Sequence, residues 1–235
     1  MTDFPFTADD LAALRQWDTP TICNALELVV PHRRGYGFTI RPFLTVDPTL
    51  RPICGLARTG TIRASAPSGR TREVDRAARL GWYDYVEAAP MPTVVVLHDL
   101  DDTPGTGSFW GEVHTAVHKA LGAQGVVTNG ATRDIDMSAP GFQMLAGMVS
   151  PSHAYVHIVQ YGQEVSVHGM AAHHEAVVHA DRHGAVVIPH DAVTKLPAAI
   201  DQCIRREAVI LEFCRSREFS AAGLKDVLAR ADEVH

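Results

Sequence analysis

Three side chains in one stretch have the types and spacing to do chemistry. They are Glu112, Arg133 and Asp134, in the run Trp110-Gly-Glu-Val-His-Thr-Ala-Val-His through Thr128-Asn-Gly-Ala-Thr-Arg-Asp134. Twenty residues separate the glutamate from the arginine. A guanidinium offers a planar fork that fits a carboxylate, and an adjacent aspartate offers hard oxygen to Mg²⁺ or Mn²⁺. Together they can hold an anionic substrate beside a divalent cation. Mg²⁺ keeps several waters and takes only one or two protein carboxylates, so a second acid that binds its waters completes a reasonable set. Glu112 is the natural second acid. Spacing alone leaves a purely structural alternative open: Arg133 and Asp134 as a turn, and Glu112 as a complement to a helix dipole.

The elements around these residues decide whether they meet. The spacing predicts a helix from about Glu112 to Leu121 and a strand over 125–128, so the acid sits at a helix start and the Arg-Asp pair just past a strand end. In α/β layouts, ligand groups collect at such places. Asn129-Gly130 predicts a sharp turn with positive φ, whose N–H groups can form an anion nest. Upstream, a capped helix to about Trp17 is predicted, then a second one capped by Asp18 with Pro20 in its first turn. An alternating β segment over 51–64 and a polar loop over 65–71 follow, then a helix over 74–87 and a buried β-branched strand over 93–98. The second half is strand-rich, with segments over 142–148, 154–161, 164–168, 176–179 and 185–188; Asp191 reads as a cap before a helix over 196–215, and Ser220 starts the last helix. This order predicts stacked sheets with helices outside, in a single domain over 1–235: N-terminal helices over 1–30, a core over 31–190 and C-terminal helices over 191–235.

Composition narrows the function classes. The chain has 235 residues, 46% hydrophobic and 20% charged, with a net charge of −6. A mildly acidic chain without a basic run argues against nucleic acid as a partner. No apolar stretch reaches the ~18 residues of a membrane span. The start, MTDFPFTADD, carries acids where a signal peptide has bases, which predicts a cytoplasmic protein. Cys23, Cys54, Cys203 and Cys214 form no CxxC pair and read as reduced core residues. Among 13 histidines, His114 and His118 share one helix face, a spacing that can bind Zn²⁺, but no HExxH pattern accompanies them. The other histidines read as solvated or bonded to backbone, and Asp181 and Arg182 as a local pair.

The stretch from Gly111 to Asp134 resembles the family of regulator-of-ribonuclease-E-activity-A-like proteins, which includes class II pyruvate aldolases acting on 4-hydroxy-4-methyl-2-oxoglutarate and 4-carboxy-4-hydroxy-2-oxoadipate. Further points of resemblance are Asp18-Thr-Pro-Thr-Ile-Cys-Asn-Ala25, His179-Ala-Asp-Arg-His-Gly-Ala-Val-Val-Ile-Pro189 and Arg206-Glu207-Ala208. The resemblance implies a three-layer β/β/α swivelling-domain-like fold, assembled as homotrimers or homohexamers with sites between subunits. It implies that Asp134 ligates Mg²⁺ (or Mn²⁺), that Glu112 holds metal-bound water in place of the usual aspartate, and that Arg133 binds substrate and steadies the enolate. The N–H groups of Val113 and His114 would hold the pyruvate carboxylate. His114 stands where the aldolases usually have leucine, so it would contact substrate, act in proton transfer or serve only as a spacer. A glutamate from a neighbouring subunit would also reach the site, with Glu207 the best match and Glu212 the second. The implied activity is a divalent-metal-dependent lyase that releases pyruvate from a small 4-hydroxy-2-oxo acid, with oxaloacetate decarboxylation through the same enolate. The alternative is a non-catalytic regulator that binds a protein partner. Lys119, two turns past Glu112, does not suit a Schiff-base mechanism.

Overall fold

The computed structural model describes residues 4–234; the acid at Asp3 lies outside them. The helices are α1 (Ala8–Leu14), α2 (Thr19–Val29), α3 (Arg72–Glu87), α4 (Glu112–Ala120), α5 (Leu196–Arg215) and α6 (Ala221–Asp232). The strands are β1 (Leu44–Thr45), β2 (Ile53–Arg63), β3 (Thr93–Asp99), β4 (Ser108–Trp110), β5 (Ala123–Thr128), β6 (Ala131–Thr132) and β7 (Gln143–Ala146). They continue as β8 (Met148–Val149), β9 (His157–Tyr161), β10 (Val165–Val167), β11 (Met170–Ala172), β12 (Val177–Asp181) and β13 (Gly184–Ile188).

The main sheet runs β1-β7-β5-β3-β2-β12-β13, with β9 also on β2. β2, β3, β5 and β7 run parallel to one another, and the remaining pairs are antiparallel. One face of the sheet packs Leu56, Val177 and Ile188 against Leu11 and Leu14 of α1, Ile22 and Leu26 of α2 and Ile200 of α5. The other face packs Ile53, Val94, Val96 and Val178 against Val165, Val167 and Met170 of the β10-β11 hairpin. A third cluster joins Ile62, Val95 and Leu97 to Trp82 and Val86 of α3 and to Phe109 and Trp110 of β4. This is a β/β/α arrangement with helices at both ends of the chain.

Several local expectations change for physical reasons. β2 is buried at every residue from Ile53 to Ile62 rather than alternating, because this central strand of a mixed sheet is covered on both faces. α1 stops at Leu14, short of Trp17, because the backbone tightens into i→i+3 bonds from Arg15, Gln16 and Trp17. The extended Asp18 then caps α2 through Thr21 N–H at 2.9 Å. Asp191 caps nothing: it lies inside a short 3-10 turn, and the residue before α5, Lys195, makes no capping bond. The loop after β2 is anchored at its start, since Asp101 accepts from Ala64 N–H and Ser65 N–H at 2.8 Å each. Asp181 does not pair with Arg182. Its carboxylate accepts from Thr19 N–H at 2.9 Å and His183 N–H at 2.8 Å, tying α2 to the β12-β13 hairpin. All four cysteines are free, but only Cys54 is buried, and Cys214 is exposed. No described helix is long and apolar enough to cross a membrane.

β4, β6 and β8 form a small separate parallel sheet. Two- and three-residue strands are too short to show a period, so the sequence does not reveal them. They matter most for the site, because β4 leads into Glu112 and β6 into Arg133.

Candidate functional site

β4 and β6 pair with Trp110 opposite Thr132, and Arg133 N–H donates to Trp110 carbonyl oxygen at 2.9 Å. This pairing closes the gap in sequence between Glu112 and Arg133. Gly111 caps α4 with an extended backbone, and a Cβ there would fall 2.6 Å from Asp134 Oδ2. Glycine is therefore what lets the Asp134 carboxylate approach the helix start. Asp134 has φ 52° and ψ 43°, in the left-handed region that aspartate tolerates better than most residues. That conformation turns its carboxylate back toward α4. Glu112 N–H donates to Asp134 Oδ2 at 3.4 Å, and Arg133 Nε lies 3.6 Å from the same oxygen. Both side chains stay about one third exposed, so a ligand can reach them.

The positive φ falls on Asp134, not on Asn129-Gly130. Asn129 instead serves as a backbone clamp: its Oδ1 accepts from Asp99 N–H at 2.8 Å and its Nδ2 donates to Asp99 carbonyl oxygen at 2.9 Å. Gly130 N–H is taken by Thr128 Oγ1 at 3.0 Å, so no anion nest forms at that turn. The open donors are at α4. Among the described residues, no acceptor takes the N–H of Val113 or His114, two of the groups every helix start leaves free.

These groups border a cavity of about 270 Å³ whose walls include Arg79, Phe109, His114, Arg133, Asp134 and His153. The side chain of Val113 also lines it and is 68% exposed. The Glu112 side chain is exposed beside the cavity and is not one of its walls.

The histidines of α4 are a packing unit. His118 is fully buried; its Nδ1 lies 2.7 Å from His114 carbonyl oxygen, and its Nε2 accepts from Trp82 Nε1–H at 2.8 Å. A ring that donates at one nitrogen and accepts at the other is neutral, and burial pushes its pKa down to about 3. Both nitrogens are used, so His114 and His118 cannot jointly hold zinc. The His114 ring packs on Phe109 with centroids 4.2 Å apart. Burial first, and then the charges of Arg79 and Arg133, push its pKa down to about 4. It therefore stands in the wall as an uncharged imidazole at neutral pH.

A family model described as RraA-like, Aldolase/RraA, matches residues 19–187. The chain belongs to the RraA-like family. No curated protein sequence matches it. Among solved structures, an uncharacterized protein from Pseudomonas syringae pv. tomato is 18% identical with a TM-score of 0.70, covering 100% of this chain and 98% of that one. RraAS2 of Streptomyces coelicolor, titled an unusual member of the RNase ES inhibitor RraA protein family, is 22% identical with a TM-score of 0.66, covering 92% and 100%. A protein described among novel cellulases from gut-associated microbes is 16% identical with a TM-score of 0.70, covering 88% and 89%. At these identities the likeness establishes the RraA-like fold alone.

In this RraA-like chain the donor set suits a water-rich hard cation better than a closed protein cage. No group of three or more His, Cys, Asp or Glu side chains among the described residues converges on one point. Asp134 supplies an accessible carboxylate, packed close over Gly111 where a Cβ would otherwise stand. That matches an ion with one or two protein oxygens and its remaining positions in water. Glu207 lies elsewhere: on α5 its Oε1 accepts from Asn24 Nδ2 at 3.3 Å, and it shares a surface groove with Glu212. Neither glutamate reaches Arg133 within one protomer. Lys119 donates to Pro140 carbonyl oxygen, away from the cavity. Sequence reasoning missed Arg79, Phe109 and His153 as cavity walls. Only Arg79 left a trace, since Arg72, Arg76 and Arg79 recur at helical spacing.

Proposed function

We propose that this RraA-like protein is a divalent-metal-dependent lyase that cleaves a 4-hydroxy-2-oxo acid to pyruvate. The RraA-like family includes aldolases and decarboxylases as well as ribonuclease inhibitors. The observation that carries the lyase reading is the convergence of the Arg133 guanidinium, the Asp134 carboxylate and the free N–H groups of Val113 and His114 around one cavity. An open cavity with anion donors on one side and an accessible carboxylate on the other supports the lyase reading, although a regulatory protein can keep the Arg-Asp pair as well.

The reaction breaks the C3–C4 bond. The C4 hydroxyl loses its proton, C4 becomes a carbonyl, and the bonding pair passes to C3 and the 2-oxo oxygen as an enolate, which a proton converts to pyruvate. The helix-start N–H groups bind the substrate carboxylate. Arg133 donates to the 2-oxo oxygen and grips it more tightly as negative charge develops. Asp134, with Glu112 beside it, would hold Mg²⁺ or Mn²⁺, which would supply positive charge to stabilise the enolate. Glu112, exposed beside the cavity, is a carboxylate for proton transfer, with Glu207 supplied by a second copy of the chain in a homotrimer or homohexamer. His114, uncharged, shapes the wall and keeps substrate against Arg133. Oxaloacetate decarboxylation passes through the same enolate and needs no additional group.

Pyruvate release, coupled to lactate dehydrogenase, tests this with oxaloacetate and 4-hydroxy-4-methyl-2-oxoglutarate in the presence and absence of Mg²⁺. Metal-dependent release is expected, and Arg133→Ala is expected to lower it by about 10²–10³-fold, as for loss of one oxyanion donor. No release from either substrate, or release indifferent to Arg133→Ala, would give the ground to the regulatory alternative.

A further inference from the structure

A second cavity of about 800 Å³ opens off the first, and Arg79, Phe109, His114, His153 and Val156 are walls of both. Its floor is the exposed face of α3, where Arg72, Arg76 and Arg79 follow one another at i, i+4 and i+7. Side chains at that spacing share one helix face. The carboxylate in this groove, Asp75, is already engaged by Arg70 Nε at 2.8 Å and Ser68 Oγ at 2.6 Å. Arg70 is held further by Ile158 carbonyl oxygen at 2.6 Å. Among the described residues, Arg72, Arg76 and Arg79 have no carboxylate partner, in a chain whose net charge is −6. Arg79 stands at the junction: its charge and that of Arg133 both bear on the imidazole of His114.

We propose that Arg79, backed by Arg76, is a specificity-determining residue that binds a second anionic group, phosphate or carboxylate, at the far end of an extended 4-hydroxy-2-oxo acid whose 2-oxo-acid end lies at Arg133. This rests on the lyase reading of the Arg133 cavity. The groove is open, and its walls set polar groups such as Ser68 and His157 beside Val156 and Ile158, a mixed lining that suits a hydroxylated carbon chain between the two anionic ends. A guanidinium row recognises a dianion through several charge-assisted bonds, so a terminal phosphate is favoured over a terminal carboxylate.

The test uses three six-carbon 3-deoxy-2-oxo sugar acids that differ only at the terminal carbon: hydroxymethyl, carboxylate and phosphate-esterified hydroxymethyl. Binding to the whole protein is measured calorimetrically with EDTA present, and pyruvate release with Mg²⁺. The wild type is expected to prefer both charged termini over hydroxymethyl by about tenfold or more, the scale of one charge-assisted contact. Arg79→Gln is expected to collapse that preference to within about threefold, and Arg79→Lys to restore part of it. The phosphorylated acid is expected to bind more tightly than the dicarboxylate, and the reverse order would overturn the preference for a terminal dianion. Equal binding of all three acids, or a preference that survives Arg79→Gln, overturns the proposal. Preferential binding without pyruvate from any acid leaves the anion subsite standing and removes the lyase reading instead.

Discussion

Gly111 and Asp134 depend on each other. The left-handed backbone of Asp134 aims its carboxylate at the start of α4, and the missing side chain at Gly111 leaves room for it. Gly111→Ala places a Cβ 2.6 Å from Asp134 Oδ2, and the carboxylate must move. We expect Mg²⁺-dependent pyruvate release to fall by about 10²-fold, the cost of a misplacement on the ångström scale, with the thermal midpoint nearly unchanged. Full activity in this variant would mean that Asp134 does not act from its present position. His118 offers a complementary case in which stability changes rather than chemistry. Its Nε2 is the acceptor of the buried Trp82 N–H. His118→Leu strands that donor and is expected to cost about 1–3 kcal/mol in urea denaturation. An unchanged midpoint would show that the indole finds another acceptor.

At the scale of elements, buried side chains tie the sheet to its surroundings at two separate places, one of which bears on the site. Asn129 clamps the end of β5 to β3 through both polar atoms of its side chain. The turn into β6, and hence Arg133, is set by that clamp. On the opposite side, buried Asp181 and His179 hold α2 to the hairpin: Asp181 takes Thr19 N–H, while His179 meets Thr19 Oγ1 at 3.0 Å and Leu14 carbonyl oxygen at 3.2 Å. Asp181→Ala removes the acceptor of a buried helix-start N–H and is expected to destabilise by about 1–3 kcal/mol. Hydrogen exchange should quicken first at the start of α2 and leave β6 protected. Uniform acceleration across the chain would show that α2 does not loosen as a separate unit.

For the whole molecule, three buried imidazoles set the response to acid. His114, His118 and His179 have pKa values pushed by burial from 6.5 to about 4, 3 and 4. In the unfolded chain these groups take up protons near their ordinary value; in the fold they do not until far lower pH. Stability is therefore complete above pH 6.5 and falls as pH drops from there toward 4, by up to about 1.4 kcal/mol per pH unit for each histidine. The hydrogen-bonded carboxylates Asp18 and Asp101 are held below 3.8, so their loss comes only at still lower pH. Buried Asp99 is raised and works weakly in the opposite sense. Thermal midpoints should fall steadily between pH 6.5 and 4, and His118→Leu should flatten that slope; a flat wild-type profile would contradict the burial of these rings. The proposed assembly has its own test. Arg133→Ala and Glu207→Gln are each expected to be inactive, and mixing them should restore part of the activity if Glu207 completes a site in a second copy. No recovery in a mixed oligomer would place Glu207 outside the chemistry.

The sequence by itself determined the elements with enough residues to show a period or a cap. The α5 helix, the buried β3 strand, the Asp18 cap and the helix after Glu112 could all be read from it, because side-chain spacing and capping chemistry are local. It also placed Glu112, Arg133 and Asp134 as the residues to watch, and the family resemblance with them. Only the tertiary structure decided that they meet, because the strands that join them, β4 and β6, have three and two residues and carry no pattern of their own. The same holds for the left-handed turn, which the sequence assigned to Asn129-Gly130 and the fold puts at Asp134. Arg79 lies far from the motif in sequence, and nothing in the sequence ties it to the site. Packing of α3 against α4 through Trp82 and His118 is what brings that charge to the cavity.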